Sequence, residues 1–551
     1  MMARRLVPTR APRRGVAANR GKRRRFGSTP AAYDGRLLRP GIRVHPPDRV
    51  DTEPSSTTAP SSCTTPPRVS TYRYERLPVQ DGSFLAFEDP NSHMTIGATL
   101  VFEPGPMASA GGGVDVERVR EHIGSRLHQI PRYRQRLAWV PVEGHPVWVD
   151  DEHFTLGYHL RHTALPRPGD ERALKRLAAR VMSQQLDRGK PLWEAWVVEG
   201  LEGGRFALIF KTHHCMTDGI AAVDLATVLL SPSLDATIDE APRWTPRPAP
   251  SGRQLLASEL ARFAGLPIRL ASAGVRTLAQ PTAIGRAIVD GLRPLWEIAR
   301  AGLRGAVDTP LNRPIGPHRR IGWLTTDLPR VRAVKQQLGG TVNDVVLATI
   351  AGALRRFFRR RRVRLDGMDF RVVVPVSVRA ESERGTMNNR VAAWLLSLPV
   401  EERDARRRYV RVCEATARAK ETRQARGIQI LGELAELVGS LTVLHAGLRL
   451  MQLVNPYNLI VTNVPGPSIP LHLLGARLLA AYPMVPLFEN QGLGVALASY
   501  DDRLFWCVNA DWDLLPDLHH FVHDLETAFE ELAALASGAR TRPLPTRRAT
   551  S

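Results

Sequence analysis

Alternation of apolar and polar positions along the chain predicts β-strands, and apolar positions spaced three or four residues apart predict helices between them. Strands are predicted over 94–103, 147–149, 192–201, 205–212, 321–328, 370–378, 391–399, 459–463, 494–500 and 504–509. Helices are predicted over 116–130, 172–185, 220–230, 331–338, 342–358, 401–424, 429–452 and 517–537. Because strands and helices mix without strict alternation, each half is expected to have an α+β fold.

Turn residues mark two hairpins in this pattern. Glu202-Gly203-Gly204 separates the strands 192–201 and 205–212, and Asp501-Asp502 separates the last two strands. Glycine and aspartate are favoured in tight turns between strands, so both pairs are predicted to be hairpins.

The length of 551 residues exceeds one ordinary core and predicts two large subdomains. The predicted N-terminal subdomain covers 71–241, a linker with amphipathic helices covers 242–315, and the C-terminal subdomain covers 316–537. Residues 1–70 and 538–551 are predicted to be disordered basic tails. The first tail is either a membrane-attracting arm or an inert extension upstream of the true start codon. The linker helices either bridge the two halves or lie on a membrane surface.

The formal net charge of +22 is concentrated near the N-terminus, because residues 1–68 hold 15 Arg/Lys and 4 Asp/Glu. The basic residues are not interleaved with aromatic residues, and the spacing of a helix-turn-helix or zinc finger is missing, so nucleic acid is not expected as a partner. An anionic membrane surface, or the phosphates of a nucleotide-bearing substrate, fits the charge better.

The four cysteines are far apart and form no CxxC pair, which disfavours a disulfide or zinc framework and favours a reducing cytoplasm. The sequence also lacks an uninterrupted apolar stretch of roughly 20 residues, the length that spans a bilayer. The nearest candidate, 434–454, is interrupted by Glu436, His445 and Arg449. Any role with lipids is therefore expected to be peripheral.

The strongest chemical signal is the run from His213 to Gly219, which reads HHxxxDG. It follows a predicted strand and precedes a predicted helix, so both histidines are expected at a strand-to-helix turn. Neighbouring side chains in an extended segment point to opposite sides, so one histidine is expected to face substrate while the other packs inward. Histidine takes and returns a proton near neutral pH, which suits general-base activation of a hydroxyl or amine for acyl transfer.

The remaining motif residues allow several roles. Asp218 either orients a histidine, pairs with a distant arginine or caps the next helix, and the last two roles are compatible and preferred. Gly219 permits a close backbone approach. Cys215 is assigned to packing and the chain has no GxSxG elbow, so direct transfer is favoured over a covalent intermediate. Since His214 and Asp218 have no third ligand at a usual spacing, no metal is expected.

A second pair, His519-His520, tests how much an HH dipeptide means by itself. It lies within a predicted amphipathic helix, without a glycine or a strand-to-turn context. This pair is interpreted as solvated surface.

Further segments match one family in the same order along the chain. The run PLWE at 191–194 precedes the motif, and NDVVLA at 343–348, VPVSVR at 374–379 and TNVPGP at 462–467 follow it. The runs DGSF at 81–84 and EDP at 88–90 match the family's opening. Together they resemble the bacterial wax ester synthase/diacylglycerol acyltransferase family over about residues 74–536.

The resemblance implies two chloramphenicol acetyltransferase-like subdomains with a tunnel at their interface. The implied substrates are a long-chain acyl-CoA and either diacylglycerol or a fatty alcohol, with no cofactor. The implied enzyme is cytoplasmic and associates peripherally with a membrane or a lipid-inclusion surface.

The resemblance also assigns roles to single residues. Within the catalytic motif, His214 maps onto the general base beside His213, Asp218 onto the structural acid and Gly219 onto the motif glycine. Substrate-binding or tunnel positions are expected at Pro191, Leu192, Trp193, Asn343, Asp344 and Asn463. Trp193 is core or tunnel wall, and Asn463 belongs to a plain turn or shapes the tunnel. Arg379 is expected to be structural, as a partner of Asp218, with an ordinary surface position as the alternative.

Two other functions stay open at this point. One is a condensation-type acyltransferase with a carrier-protein-bound donor, although the chain has no carrier or adenylation segment. The other is a non-catalytic lipid-inclusion protein, against which the intact HHxxxDG motif argues.

Overall fold

The computed structural model describes residues 74–109, 113–216, 228–235, 237–264, 305–377, 391–421 and 455–538. The strands within these ranges are β1 Glu75–Arg76, β2 Thr95–Phe102, β3 Gln135–Trp139, β4 Pro146–Asp150, β5 Leu160–Ala164, β6 Trp193–Glu199, β7 Phe206–His213, β8 Arg319–Asp327, β9 Phe370–Ser377, β10 Val391–Leu398, β11 Leu459–Pro465, β12 His472–Leu473, β13 Ala476–Met484, β14 Leu493–Tyr500 and β15 Arg503–Asp511. The helices are α1 Val79–Phe87, α2 Val116–Arg126, α3 Leu156–His159, α4 Glu171–Met182, α5 Gly252–Ala264, α6 Leu328–Leu338, α7 Val342–Arg360, α8 Ala405–Glu421 and α9 Leu518–Ala536. This mixture of strands and helices confirms the α+β class.

Two large sheets organise the described part of the chain. The first has the strand order β12-β13-β2-β7-β6-β5 and the second has the order β10-β9-β11-β14-β15-β8. A third, small sheet has the strand order β1-β4-β3, and its strands come from the first half of the chain. Both predicted hairpins are confirmed, because β6 pairs antiparallel with β7 and β14 pairs antiparallel with β15.

Two strands from the second half of the chain, β12 and β13, belong to the first sheet. Strand β13 pairs antiparallel with β2, from Leu478 opposite Phe102 to Met484 opposite Gly97. On the same strand, the Tyr482 ring stacks on Trp323 of β8 with centroids 4.3 Å apart. The strand therefore joins the two sheets, while the domain boundaries at 241 and 316 stay a prediction.

Helices α7 and α9 form the core of the second half against its sheet. Thr341 and Asp344 form a capping box at the start of α7, in which each side chain accepts from the other residue's backbone N–H. Phe357 of α7 packs edge-on against Phe521 of α9. Each large apolar side chain buried in this way contributes about 1.5–3 kcal/mol.

The sequence pattern missed several short elements. Helix α1 contains glycine, serine and aspartate and lacks a clear apolar period, and β3, β5 and β13 also escaped prediction. The predicted helix 429–452 lies outside the described residues, as do most of 220–230 and of the linker helices beyond α5. None of the helices within the described ranges is both long and apolar enough to span a bilayer.

Candidate active site

Strand β7 delivers the two histidines from the interior of the first sheet. It lies between β2 and β6, and every residue from Phe206 to His213 is buried. At its end, the His213 N–H donates to the Leu192 carbonyl at 2.9 Å and the His214 N–H donates to the Met94 carbonyl at 2.8 Å. The backbone of the histidine pair is therefore held from both sides.

His213 is the inward-facing histidine. Its side chain is 1% exposed, and its Nδ1 accepts the Cys215 N–H at 3.1 Å. A ring nitrogen that accepts cannot carry the proton in the neutral imidazole, so the proton lies on Nε2. His213 Nε2 faces Glu88 Oε2 at 3.7 Å. These contacts fix the ring and the turn that follows it.

Glu88 is an ionised carboxylate beneath this turn. Its side chain is 1% exposed, and Arg188 donates to Oε2 from Nε at 3.0 Å and from Nη2 at 2.6 Å. Burial by itself would raise the pKa of Glu88, but His213 and the Arg188 guanidinium outweigh it and lower that pKa to about 2. Glu88 is therefore an anion beside His213 at neutral pH.

His214 lies in a different environment from His213. It is half-buried, and its ring lies parallel to Phe84 of α1 with centroids 3.8 Å apart. The two histidines therefore lie in different environments, with His213 packed and His214 half-buried, while the different jobs predicted for them stay a prediction. Helix α1, which the sequence pattern missed, supplies one wall of the site.

Cys215 has the packing role that the sequence predicts. It is 2% exposed, and burial raises the pKa of its thiol well above the ordinary value. A buried neutral thiol is a poor nucleophile. Asp218, Gly219 and Arg379 lie outside the described residues, so their predicted roles stay predictions.

The PLW segment contacts β7, the strand that carries the histidine pair. Leu192 is fully buried, and its carbonyl accepts the Thr212 hydroxyl at 3.3 Å in addition to the His213 N–H. Trp193 is 2% exposed, stacks on His159 and donates from Nε1 to the Tyr133 carbonyl at 2.9 Å. These contacts are those of a core residue, and the predicted tunnel-lining role of Pro191, Leu192 and Trp193 is untested.

In the second half, the structure brings two predicted site residues together. Asn463 Nδ2 at the end of β11 donates to Asn343 Oδ1 in the first turn of α7 at 2.7 Å. Asp344 is 2% exposed and accepts from Thr341 and from the Thr416 hydroxyl at 2.7 Å, so its contacts are those of a helix cap. Substrate contact by these three residues stays a prediction.

Sequence reasoning missed the supporting residues Phe84, Glu88 and Arg188. Phe84 and Glu88 lie in the runs DGSF and EDP that carried the resemblance, but no role followed from their spacing. Arg188 lies 25 residues before His213 and meets Glu88 only through the fold.

The chain matches the wax ester synthase/diacylglycerol acyltransferase catalytic domain over residues 77–346 and the C-terminal domain of that family over 387–533. It is 34% identical to a probable diacylglycerol O-acyltransferase of Mycobacterium tuberculosis over 468 residues, which cover 84% of this chain and 96% of that protein. A second probable diacylglycerol O-acyltransferase of the same organism is 30% identical over 82% of this chain and 97% of its own length.

A solved structure has the same architecture. The wax ester synthase/diacylglycerol acyltransferase of Marinobacter aquaeolei VT8 is similar with a TM-score of 0.59 and 27% identity, over 84% of this chain and 100% of that one. The first condensation domain of the CDA synthetase is similar at 17% identity with a TM-score of 0.51, which shows a shared fold alone. The histidine turn, the matched domains and these relatives together show that the chain belongs to the wax ester synthase/diacylglycerol acyltransferase family.

Proposed function

We propose that the protein transfers a long-chain acyl group from acyl-CoA to the hydroxyl of diacylglycerol, of a fatty alcohol or of both, with His214 as the general base. The observation that carries this function is the different environment of the two histidines, with His213 buried against Glu88 and His214 half-buried beside Phe84. The family names of the relatives support the choice of substrates.

The reaction proceeds by direct transfer. His214 accepts the proton of the acceptor hydroxyl while its oxygen attacks the thioester carbonyl carbon. The tetrahedral oxyanion then collapses, the C–S bond breaks, and the imidazolium returns the proton to the departing CoA thiolate. Such general-base assistance contributes about 10²–10⁴-fold. Backbone N–H groups near Gly219 are the proposed donors to the oxyanion.

The neighbouring groups contribute position rather than chemistry. Glu88 Oε2 faces His213 Nε2 at 3.7 Å, and His213 Nδ1 accepts the Cys215 N–H. The turn that carries His214 is therefore rigid before substrate binds, which lowers the cost of aligning base and hydroxyl. Cys215 forms no covalent intermediate. The proposed reaction uses acyl-CoA as a substrate and requires no cofactor.

The decisive experiment offers radiolabelled acyl-CoA with hexadecanol and, separately, with diacylglycerol. We expect labelled wax ester, triacylglycerol or both, and loss of product in His214→Ala. His520→Ala, a histidine exposed on α9, is the matched control and retains activity. If neither hexadecanol nor diacylglycerol gives a labelled product, the proposal is contradicted and a lipid-inclusion protein is favoured. Product only from acyl-carrier protein favours the condensation-type alternative.

A cytoplasmic lipid surface, membrane or inclusion, is the expected working environment because both acceptors are water-insoluble. The hairpin between β3 and β4 supports this proposal, since Trp139 is 46% exposed and Val142 is 98% exposed at its tip. Arg76 binds Glu143 at 3.0 Å and holds the hairpin. Exposed apolar groups of this kind bind lipid interfaces.

Sedimentation with vesicles of phosphatidylcholine and phosphatidylglycerol tests the lipid surface. We expect Val142→Asp to weaken vesicle binding by about tenfold, because the substitution places a charge where an apolar side chain would enter the lipid. The control is Val410→Asp, at another exposed valine, which lies on α8 and is 46% exposed. Equal binding by wild type and Val142→Asp contradicts a role for the hairpin.

A further inference from the structure

We propose that Arg319 and Ser92 are positioning residues for the transfer reaction, because they tie the loop 88–94 to the second half of the molecule and thereby hold the catalytic turn. This inference rests on the proposed role of His214 as the general base. It assigns a function in catalysis to two residues that lie outside the histidine motif.

Both ends of the loop 88–94 contact the catalytic turn. At its start, Glu88 faces His213 Nε2 at 3.7 Å. At its end, the Met94 carbonyl accepts the His214 N–H at 2.8 Å. A displacement of this loop therefore moves the contacts of both histidines.

The middle of the loop is stiff enough to transmit a displacement. Asp89 Oδ1 accepts the N–H groups of Asn91 at 2.7 Å and Ser92 at 2.9 Å. The Asp89 N–H donates to the Ser92 carbonyl at 3.2 Å. These bonds close a tight turn. A shift of Asn91 or Ser92 therefore also shifts Asp89 and its neighbour Glu88.

Arg319, in the second sheet, binds this turn by a hydrogen bond. It is the first residue of β8 and is 4% exposed. Its Nη2 donates to the Asn91 carbonyl, and its Nη1 donates to the Gly316 carbonyl at 2.6 Å. The fixed fork of the guanidinium thus connects the loop to the segment that precedes β8.

The backbone of Arg319 holds a second segment of the site. Its N–H donates to the Ser183 hydroxyl at 2.9 Å, where Ser183 is the C-cap of α4. Arg188, which binds Glu88, follows five residues later in that segment. One residue of the second sheet therefore touches both segments that build the ion pair under His213.

Ser92 makes the second tie between the loop and the other half. It is fully buried, and its hydroxyl donates to the Leu487 carbonyl at 2.7 Å. Leu487 lies between β13 and β14. The loop is therefore held at two neighbouring residues by two separate segments of the second half.

The charge of Arg319 argues for a geometric role. Its nearest carboxylate, Asp511 Oδ2, lies 4.0 Å away, and both side chains are at most 3% exposed. A buried ion pair of this kind is seldom more stable than well-packed apolar residues, so stability alone does not explain it. The guanidinium instead fixes the distance between two parts of the chain.

The test compares the variants Arg319→Lys and Ser92→Ala in steady-state assays with acyl-CoA and the acceptor that wild type uses. Lysine cannot donate to Asn91 and Gly316 in the same geometry, so we expect kcat to fall about tenfold while KM for acyl-CoA changes less than about twofold. Ser92→Ala removes one bond with little change in volume, and kcat is expected to fall about threefold.

A double-mutant cycle with Glu88→Gln separates positioning from general stability. If Arg319 acts through Glu88, Arg319→Lys lowers kcat by less than about twofold in the Glu88→Gln background. Tyr500→Phe is the matched control, because the buried Tyr500 hydroxyl also links β14 to β13 by donating to Leu478 at 3.1 Å. Leu478 pairs with Phe102, at the opposite end of β2 from the loop. This control lowers the melting temperature and leaves kcat within about twofold.

The outcomes are distinct. Wild-type kcat in both Arg319→Lys and Ser92→Ala overturns the proposal, as does a full tenfold effect of Arg319→Lys on top of Glu88→Gln. If Arg319→Lys does not fold, Ser92→Ala and its own cycle with Glu88→Gln decide. A wild-type protein without transferase activity refutes the proposed function instead, whereas an active wild type with unaffected variants refutes only the positioning role.

Discussion

The chain contains two pairs of neighbouring histidines, His213-His214 at the end of β7 and His519-His520 on α9. The two pairs differ in burial and in the residues that contact them. In the first pair one ring is buried against Glu88 and the other stacks on Phe84. In the second pair both residues are exposed, and their rings lie side by side with centroids 4.1 Å apart. The prediction that the second pair is solvated surface is confirmed.

The difference arises from the secondary structure that carries each pair. A strand sends neighbouring side chains to opposite faces, so a pair at a strand end is divided between core and site. On a helix, neighbouring residues are about 100° apart, and the solvent-facing side of α9 accommodates both. The strand therefore places the two rings of the first pair in different environments, whereas the helix leaves both rings of the second pair exposed.

The strongest test of this comparison removes the accessible ring. His214→Ala should lower kcat by about 10²–10⁴-fold, the usual value of a general base, with the fold retained. The double variant His519→Ala/His520→Ala should keep kcat within about twofold. Steady-state assays with acyl-CoA, together with melting temperatures, measure both. Near-normal ester synthesis by His214→Ala would remove the assignment of the base.

The ionised Glu88 beside the first histidine pair should make the free energy of unfolding depend on pH. Its pKa falls from 4.5 in the unfolded chain to about 2 in the folded protein, so its stabilisation is complete above about pH 4.5. That stabilisation, about 3 kcal/mol, disappears as the pH falls from about 4.5 to 2. We expect the difference in unfolding free energy between wild type and Glu88→Gln to shrink over this window in urea titrations. A difference that is constant from pH 6 to pH 2.5 contradicts the buried carboxylate.

The same substitution should affect catalysis at neutral pH. Glu88→Gln removes the anion that orients His213, and we expect kcat to fall about 10–100-fold through misalignment of the turn. Glu530→Gln, in an exposed ion pair of α9 with Arg330, is the matched control and should leave kcat unchanged. Equal activity of the two variants would mean that Glu88 does not support the histidine turn.

The ring of Phe84 should have a smaller influence. A stacked aromatic pair is worth about 0.5–1.5 kcal/mol beyond its buried area, so Phe84→Leu should lower kcat by about threefold to tenfold. The corresponding change near the second pair, Phe521→Leu, removes a core aromatic of α9. That control should lower the melting temperature without changing kcat, and a similar kcat for both variants would argue against stacking as an aid to catalysis.

The smallest effect is expected at Cys215. Because the thiol is buried and its pKa is raised, Cys215→Ala should keep kcat within about twofold and destabilise the fold by about 1–2 kcal/mol. Kinetics and urea unfolding of this variant measure the two quantities. A loss of activity comparable to that of His214→Ala would instead indicate a covalent intermediate.

Much of the fold could be predicted from the local pattern, and the exceptions have physical causes. The strands that became β7, β14 and β15 have long apolar runs, since both faces of a central strand are covered. Strand β13 has a weaker pattern and gains its stability from pairing with β2 of the other half. Helix α1 begins after Pro78 and contains Gly82, so local propensity did not mark it.

The candidate site divides in the same way. The sequence by itself determined that His213 and His214 lie in different environments, because alternation along a strand is a local property of the backbone. Only the tertiary structure decided which ring is held and by what, since Glu88, Arg188 and Phe84 reach the turn from distant positions. Hydrogen bonds and ring stacking act over a few ångströms in space and leave no fixed spacing along the chain, so the residues that contact the histidine pair can be identified only in the folded molecule.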